Sequence, residues 1–429
     1  MAREVIEHLR IENFKIHRHF EPPRDFGQFN VLIGPNGVGK SSVFQAMELL
    51  CGVVQQNLGD FIKERGWAYD DLPNLRDKSK SITLTARISL LPNQGQDPMR
   101  LIYEVKIVPR RYLTIGSEKA TKLVNGAPGI VLLERENRDV HILDESRPTG
   151  TPPASMQFLG ASSAMAMLND PRDKIRYRTL LELRRFLEGI RHYTIWNPKE
   201  LQLGTKRLQP KLEPSGRNLP SVIGYLAKHA PRNVEKLIRA LQEEFPWLEN
   251  VVSKGGPYGS RTLLVKAKHG RRSQEYRATQ VSDGFLRILA LATMTYQEDK
   301  PTVLAFEEPE NGVHPQLLHF QVESLLGLSS ASEGHAPQVF LATHSPLLLD
   351  YVPLESVLVM TADRKGEVRV QAINKSAPLL RVAGLLPGEA WAYRGERALI
   401  AKPKRLARKK RSHLEPPQFI APDGSVQKD

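Results

Sequence analysis

The hydrophobic positions change rhythm several times along the chain, and each rhythm predicts a different kind of element. Residues 81–90 (SITLTARISL), 100–108 (RLIYEVKIV) and 122–135 (KLVNGAPGIVLLER) alternate apolar and polar positions, the period of antiparallel strands with one wet face. Pro-Asn-Gln-Gly at 92–95, Pro109 and Asn125-Gly126 break them into hairpins. Residues 174–190, 219–229 and 232–245 carry apolar positions at helical spacing, the last ending at Pro246. Three short runs are almost wholly apolar, VLI at 31–33, TVLAF at 302–306 and QVFLA at 338–342. Such runs suit strands covered on both faces of a parallel sheet.

These patterns predict a layout. Residues 1–80 open a core, with a strand and turn over 5–20 and the next strand over 29–33. A β-rich sublobe spans 81–140, a Pro/Gly/Thr-rich linker (ESRPTGTPPAS within 141–155) follows, and a helical sublobe covers 156–260. Residues 261–397 return to the core sheet, beginning with the strand RTLLVKAK, and 398–429 form a tail. No internal repeat or sustained heptad is present.

The chemistry concentrates at the ends of the apolar runs. Directly after 31–33 comes G-x-x-x-x-G-K-S, from Gly34 to Ser41, followed by helical spacing. In a phosphate-binding loop the glycines turn backbone N–H groups inward, the helix presents its positive end, Lys40 reaches phosphate oxygens and Ser41 can ligate Mg²⁺. VSDGFLRILAL at 281–291 is a Ser-x-Gly turn opening an apolar helix; alone it is a weak signal, more often a simple N-cap. The run 302–306 ends in Glu307-Glu308-Pro309-Glu310, carboxylates where a neighbouring phosphate loop would hold Mg²⁺-nucleotide. The run 338–342 ends in Thr343-His344-Ser345-Pro346.

That order of motifs resembles the ABC-type ATPases in the wide sense. It is nearest the branch shared by structural-maintenance-of-chromosomes, RecF and OLD ATPases. With IENFKIH, SGRNLPSVIGYL, EEFPWLENV, FEEPENGVHPQLL, ATHSPLLLDYV and GEAWAYRG, it looks like the stand-alone bacterial AAA family ATPases close to OLD, over nearly the whole chain to about Arg397. The resemblance implies an α/β P-loop NTPase of ABC-ATPase type: a core mixed sheet with a β-rich antiparallel sublobe and an inserted helical sublobe. It also implies that Asn36, Gly37, Gly39, Lys40, Ser41 and Ser42 hold ATP phosphates and Mg²⁺, and that Glu307 occupies the Walker B position beside Ser41 on the metal. Glu308 becomes the base that polarises water and His344 the switch histidine. Ser282 and Gly284 become a signature for nucleotide held by the opposite subunit, with residues 311–314 as the D-loop. Glu replaces the usual Asp at 307, which leaves open a shifted assignment with Glu308 on the metal and Glu310 nearer the water. Gln157 is the candidate glutamine-loop residue.

Composition adds partners and compartment. The net charge is +14 with pI near 9.7, which points to an anionic partner, nucleic acid before a membrane surface. Seven of the ten residues 402–411 are basic, readable either as a solvated tail or as a nucleic-acid arm. One cysteine, Cys51, and a charged N-terminus without a signal-peptide core suggest a cytoplasmic protein. The expected function is an ATPase that forms a homodimer around ATP, with higher assembly open, and couples hydrolysis to a DNA-linked process such as phage defence or repair. After His344 the acids are scattered and no Asp-x-Asp cluster occurs, so a nuclease or toxin effector would be a separate chain. The alternative is an ATP-gated sensor or scaffold that sequesters an effector with little turnover. A transporter subunit is disfavoured by the large β-rich insertion.

Overall fold

The computed structural model describes residues 3–400 except 56–57, 92–97, 110–112, 159, 195, 204, 257–259, 331–335, 374–385 and 396. The basic stretch 402–411 lies outside the described residues. In chain order the strands are β1 (Val5–Phe14), β2 (His17–Phe20), β3 (Phe29–Ile33), β4 (Ile82–Leu90), β5 (Met99–Pro109) and β6 (Leu113–Val124). They continue with β7 (Ala127–Glu136), β8 (Asp139–Ile142), β9 (Ala154–Gln157), β10 (Ile190–Tyr193), β11 (Leu248–Gly255) and β12 (Arg261–His269). The last are β13 (Arg272–Arg277), β14 (Val303–Glu307), β15 (Gln338–Thr343), β16 (Val357–Ala362) and β17 (Val368–Ala372).

The apolar runs assemble into a six-stranded sheet of order β10-β14-β15-β3-β16-β17. Its first five strands are parallel and β17 is an antiparallel edge. Side chains alternate faces along each strand, so the sheet divides the core in two. Leu32, Ala305, Phe340, Ala342, Leu358 and Met360 pack on one side. Val31, Ile33, Leu304, Phe306, Leu341 and Val359 pack on the other.

The first side is closed by the helix Lys40–Val54, the helix Arg178–Glu188 and an eight-stranded antiparallel sheet, β2-β1-β4-β5-β6-β7-β8-β9. Gln338 ties the two sheets together: its side chain accepts from Ile6 N and donates to the carbonyls of Ile6 and Gly27, all at 2.8–2.9 Å. The second side is closed by the helices Leu219–His229, Pro231–Glu244, Asp283–Tyr296 and Leu318–Ser330 with the three-stranded sheet β11-β12-β13.

The mixed α/β class and the separate antiparallel sheet are as expected, but the layout differs in four places. β1 and β2 join the eight-stranded sheet and do not pair with β3. The stretch expected to be a linker is a loop between two paired strands, β8 and β9; Pro and Gly punctuate either kind of connection. Within 156–260, the helix Arg178–Glu188 belongs to the first core and β10 to the central sheet. Residues 261–268 do not return to the central sheet; they are the middle strand of β11-β12-β13. Their buried Leu263, Val265 and Ala267 alternate with more exposed positions, the pattern of a strand with one wet face.

Candidate functional site

Parallel pairing brings the motif ends together. Thr343 of β15 is in register with Ile33 of β3, and Glu307 of β14 with Ala342. The loop after β3, the carboxylates after β14 and the histidine after β15 therefore emerge side by side at the carboxyl edge of one sheet, where α/β ligand sites form.

The loop from Gly34 to Gly39 leads into the helix Lys40–Val54 with Gly39 as its N-cap at φ 99°. That left-handed backbone suits glycine, and a Cβ there would lie 2.5 Å from Ile16 and 2.7 Å from His17 Nε2. Asn36 and Gly37 are exposed at the crest; Ser42 is half-buried. Lys40 is buried, with Nζ donating to the carbonyls of Gly34 at 2.7 Å and Pro35 at 3.1 Å. His17 is fully buried and donates from Nε2 to Gly39 O at 2.8 Å. Burial pushes its pKa down to about 4, partly opposed by that hydrogen bond.

Ser41 Oγ donates to Glu307 Oε2 at 2.8 Å. The other Glu307 oxygen meets His192 Nε2 at 2.8 Å, and His192 Nδ1 meets Glu48 Oε2 at 3.1 Å. Glu48 is completed by Arg65 Nε at 2.5 Å. His192, on β10, and Glu48, on the loop helix, are both buried. Burial disfavours the charged imidazole, but the two carboxylates outweigh it and raise His192 to about 9. Burial likewise opposes ionisation of Glu307, and His192, Ser41 and Lys40 hold it below the usual range.

Sequence reasoning missed His192 and Glu48. A signal existed for Glu48: seven residues after Ser41, it shares a helix face with Ser41 and is a carboxylate inside an apolar run.

Glu308 sits at φ 46°, a left-handed backbone that costs a non-glycine residue on the order of 1 kcal/mol or more. The turn is fixed by Glu308 N donating to Ala342 O and Asn311 N donating to Glu308 O. Its carboxylate accepts from Asn311 Nδ2 through Oε2 and lies 3.0 Å from His344 Nδ1 through Oε1. Glu310 is set deeper. Its Oε1 accepts from Thr343 Oγ1 at 2.6 Å and lies 4.0 Å from His344 Nδ1, its Oε2 is buried without a partner, and burial raises its pKa.

Ser282 caps the helix Asp283–Tyr296, accepting from Phe285 N at 3.3 Å. Ser282 is exposed and Gly284 half-exposed. Arg287, one turn further on, donates to Gly312 O at 2.9 Å and to Trp196 O at 3.1 Å, joining this helix to residues 311–314. No described hydrogen bond joins Ser282 or Gly284 to the loop, the Glu307–Glu308 turn or His344. Gln157 ends the outermost strand of the eight-stranded sheet and donates to Asp139; it bonds none of these residues.

Mg²⁺ needs one or two carboxylates plus hydroxyl, water and phosphate oxygens. The Ser41–Glu307 pair at the loop fits that demand. No group of three or more His, Cys, Asp or Glu side chains able to hold a metal occurs among the described residues.

Residues 29–350 match the family described as "AAA domain, putative AbiEii toxin, Type IV TA system". Human structural maintenance of chromosomes protein 6 is 26% identical over 176 residues, 40% of this chain and 15% of that protein. Structural maintenance of chromosomes protein 1 of Arabidopsis thaliana is 37% identical over 73 residues, 17% of this chain and 6% of that protein. The chain thus spans only a small part of the length of these relatives. Among solved structures, the SmcHead bound to the C-winged helix domain of ScpA aligns at TM-score 0.48 and 16% identity, over 85% of this chain and 97% of that one. The Smc head of Pyrococcus furiosus with an extended coiled coil, bound to the C-terminal domain of ScpA, aligns at 0.46 and 13%, over 86% and 96%. The family match covers well over half of the chain and includes the loop, the Ser282–Gly284 turn, the carboxylate turn and the histidine, and the chain belongs to this AAA-domain family.

Proposed function

We propose that this chain binds and hydrolyses ATP at a site completed by a second copy of itself, and that hydrolysis drives a DNA-linked process. The observation that carries the reading is the pairing at neighbouring strand ends: Ser41 on Glu307 at 2.8 Å, and Glu308 on His344 at 3.0 Å.

In this reading the backbone N–H groups of the loop, with Asn36, Gly37, Gly39 and Ser42, cradle the phosphates, and Lys40 turns from the loop carbonyls to the β- and γ-oxygens. Ser41 and Glu307 would hold Mg²⁺, which when bound neutralises charge between those phosphates. Glu308 polarises the attacking water for in-line displacement, and His344 orients Glu308 and senses the γ-phosphate. The Ser41–Glu307 bond favours this assignment over the shifted one, because Ser41 is paired with Glu307 while Glu310 is tied to Thr343. Ser282, exposed, and Gly284, half-exposed, on their own helix end would reach the γ-phosphate of nucleotide on the opposite protomer, so ATP stabilises the dimer by linkage.

A DNA partner is supported by the charge and by the names of the chromosome-maintenance relatives. Residues 252–277, which include β12 and β13, hold seven Lys or Arg against one acid, Glu275. Lys254, Lys268, Arg271, Arg272 and Arg277 among them are exposed. The family description names a type IV toxin–antitoxin system, and a separate toxin or nuclease effector in a defence setting is proposed on that analogy. Among the described residues no helix is long and apolar enough to cross a membrane.

The test is ATPase rate with and without duplex DNA across a salt series, read beside mass in ATP and in ADP. Doubling of mass in ATP and DNA stimulation that fades with salt are expected. A monomer in ATP sinks the shared site, salt-independent indifference to DNA sinks the DNA role, and a stable ATP complex with little turnover selects the sensor or scaffold.

A further inference from the structure

The Glu307 carboxylate stands where a shorter aspartate is usual, and its extra methylene adds a rotatable bond between backbone and metal-facing oxygen. A longer arm must be held at its far end if Oε2 is to stay on Ser41. The structure supplies such a hold. His192 is brought there by β10, whose parallel register sets it opposite Ala305 of β14, two residues before Glu307 on the same face. From there Nε2 reaches Glu307 Oε1 at 2.8 Å while Oε2 receives the Ser41 hydroxyl at 2.8 Å.

The imidazole is itself fixed. Its Nδ1 meets Glu48 at 3.1 Å, Glu48 is bound by Arg65, and Phe44 lies edge-on at 5.9 Å. Both ring nitrogens thus face carboxylates, and both carboxylates have a second partner. Ser41, Phe44 and Glu48 all belong to the helix Lys40–Val54, so the metal-facing hydroxyl and the outer end of the relay ride on one rigid element. The chain Arg65–Glu48–His192–Glu307–Ser41 ties that helix to strands β10 and β14.

Resting on the proposed nucleotide site, we propose that His192, backed by Glu48, is a positioning residue that presents Glu307 to the metal accompanying ATP. It touches neither nucleotide nor water in this role. It sets which carboxylate oxygen faces Ser41 and thereby the affinity for metal, since the partners of metal-ligating side chains tune that affinity about 10- to 100-fold.

The test is equilibrium binding of a fluorescent ATP analogue to the full chain, in EDTA and through a Mg²⁺ titration, with thermal melting of the ligand-free protein alongside. In His192→Gln, which keeps a donor but reaches only one carboxylate, affinity in EDTA should match wild type. The Mg²⁺ concentration for half of the metal-dependent gain should rise about tenfold. Glu48→Gln, which leaves His192 on Glu307 but loosens its far side, should shift it in the same direction by less. An unchanged Mg²⁺ response in a folded His192→Gln protein overturns the proposal, as does an equal loss of affinity with and without Mg²⁺. If His192→Gln does not fold, Glu48→Gln decides: an unchanged midpoint overturns the proposal. Failure of the nucleotide-site reading looks different, because wild type would then bind no analogue and Lys40→Ala would change nothing.

Discussion

The two halves of the proposed nucleotide site are built in opposite ways. Around the loop, Lys40, Ser41, Glu307, His192 and Glu48 are tied to one another or to the loop backbone, and three of the five are buried. At the start of the helix Asp283–Tyr296, Ser282 is exposed and among the described residues bonds only its own helix end, while Arg287 fixes the helix to Gly312. The first half is preorganised by its own chain. The second is fixed in backbone position but presents its serine and glycine outward, an arrangement suited to a ligand carried by something else. Preorganised donors cost no rearrangement when charge develops, whereas a contact made across an interface can be made and released with each nucleotide cycle.

The contrast can be broken most forcefully at Glu308. If the loop half holds the chemistry, Glu308→Gln should lower the hydrolysis rate about a hundredfold or more while ATP still raises the mass. Single-turnover hydrolysis with size-exclusion chromatography checks both, and wild-type turnover would remove Glu308 from the role of base.

A smaller effect probes whether the loop half is also a stability element. His17 stays neutral in the folded protein down to about pH 4, while in the unfolded chain it protonates near 6.5. Between these values the unfolded state binds the extra proton. The contribution is therefore intact above about pH 6.5 and declines as pH falls towards 4, by about 2 kcal/mol at pH 5. His17→Gln keeps a donor for Gly39 without the titration, so its loss between pH 7.5 and 5 in denaturant melts should be smaller than wild type by about that amount. Equal acid losses in the two proteins would place His17 outside the balance.

Legibility from sequence followed the same division between local and assembled features. Gly34 to Ser41, Glu307, Glu308 and His344 were readable because each sits at the end of an apolar run, and parallel strands gather such ends on one edge. His192 was not, because IRHY has no local mark; its role arises only when β10 is laid beside β14. The Pro/Gly-rich stretch before β9 misled because a loop between paired strands and a linker between lobes use the same residues. RTLLVKAK misled for a different reason. Its alternation marked a strand with one wet face, unlike the uniform run TVLAF, and pointed away from the central sheet to which it was assigned.

The shared site is tested most directly by mixing two defective proteins. Lys40→Ala removes the phosphate-binding lysine and Ser282→Arg blocks the signature, so each alone should hydrolyse little ATP. In a mixed dimer with two-fold symmetry of its sites, one site joins the intact loop of the Ser282→Arg chain to the intact signature of the Lys40→Ala chain. Equal mixing should therefore restore turnover to roughly a quarter of wild type, half of the dimers each regaining one site of two. Turnover no higher than that of either variant alone would contradict a site shared between chains.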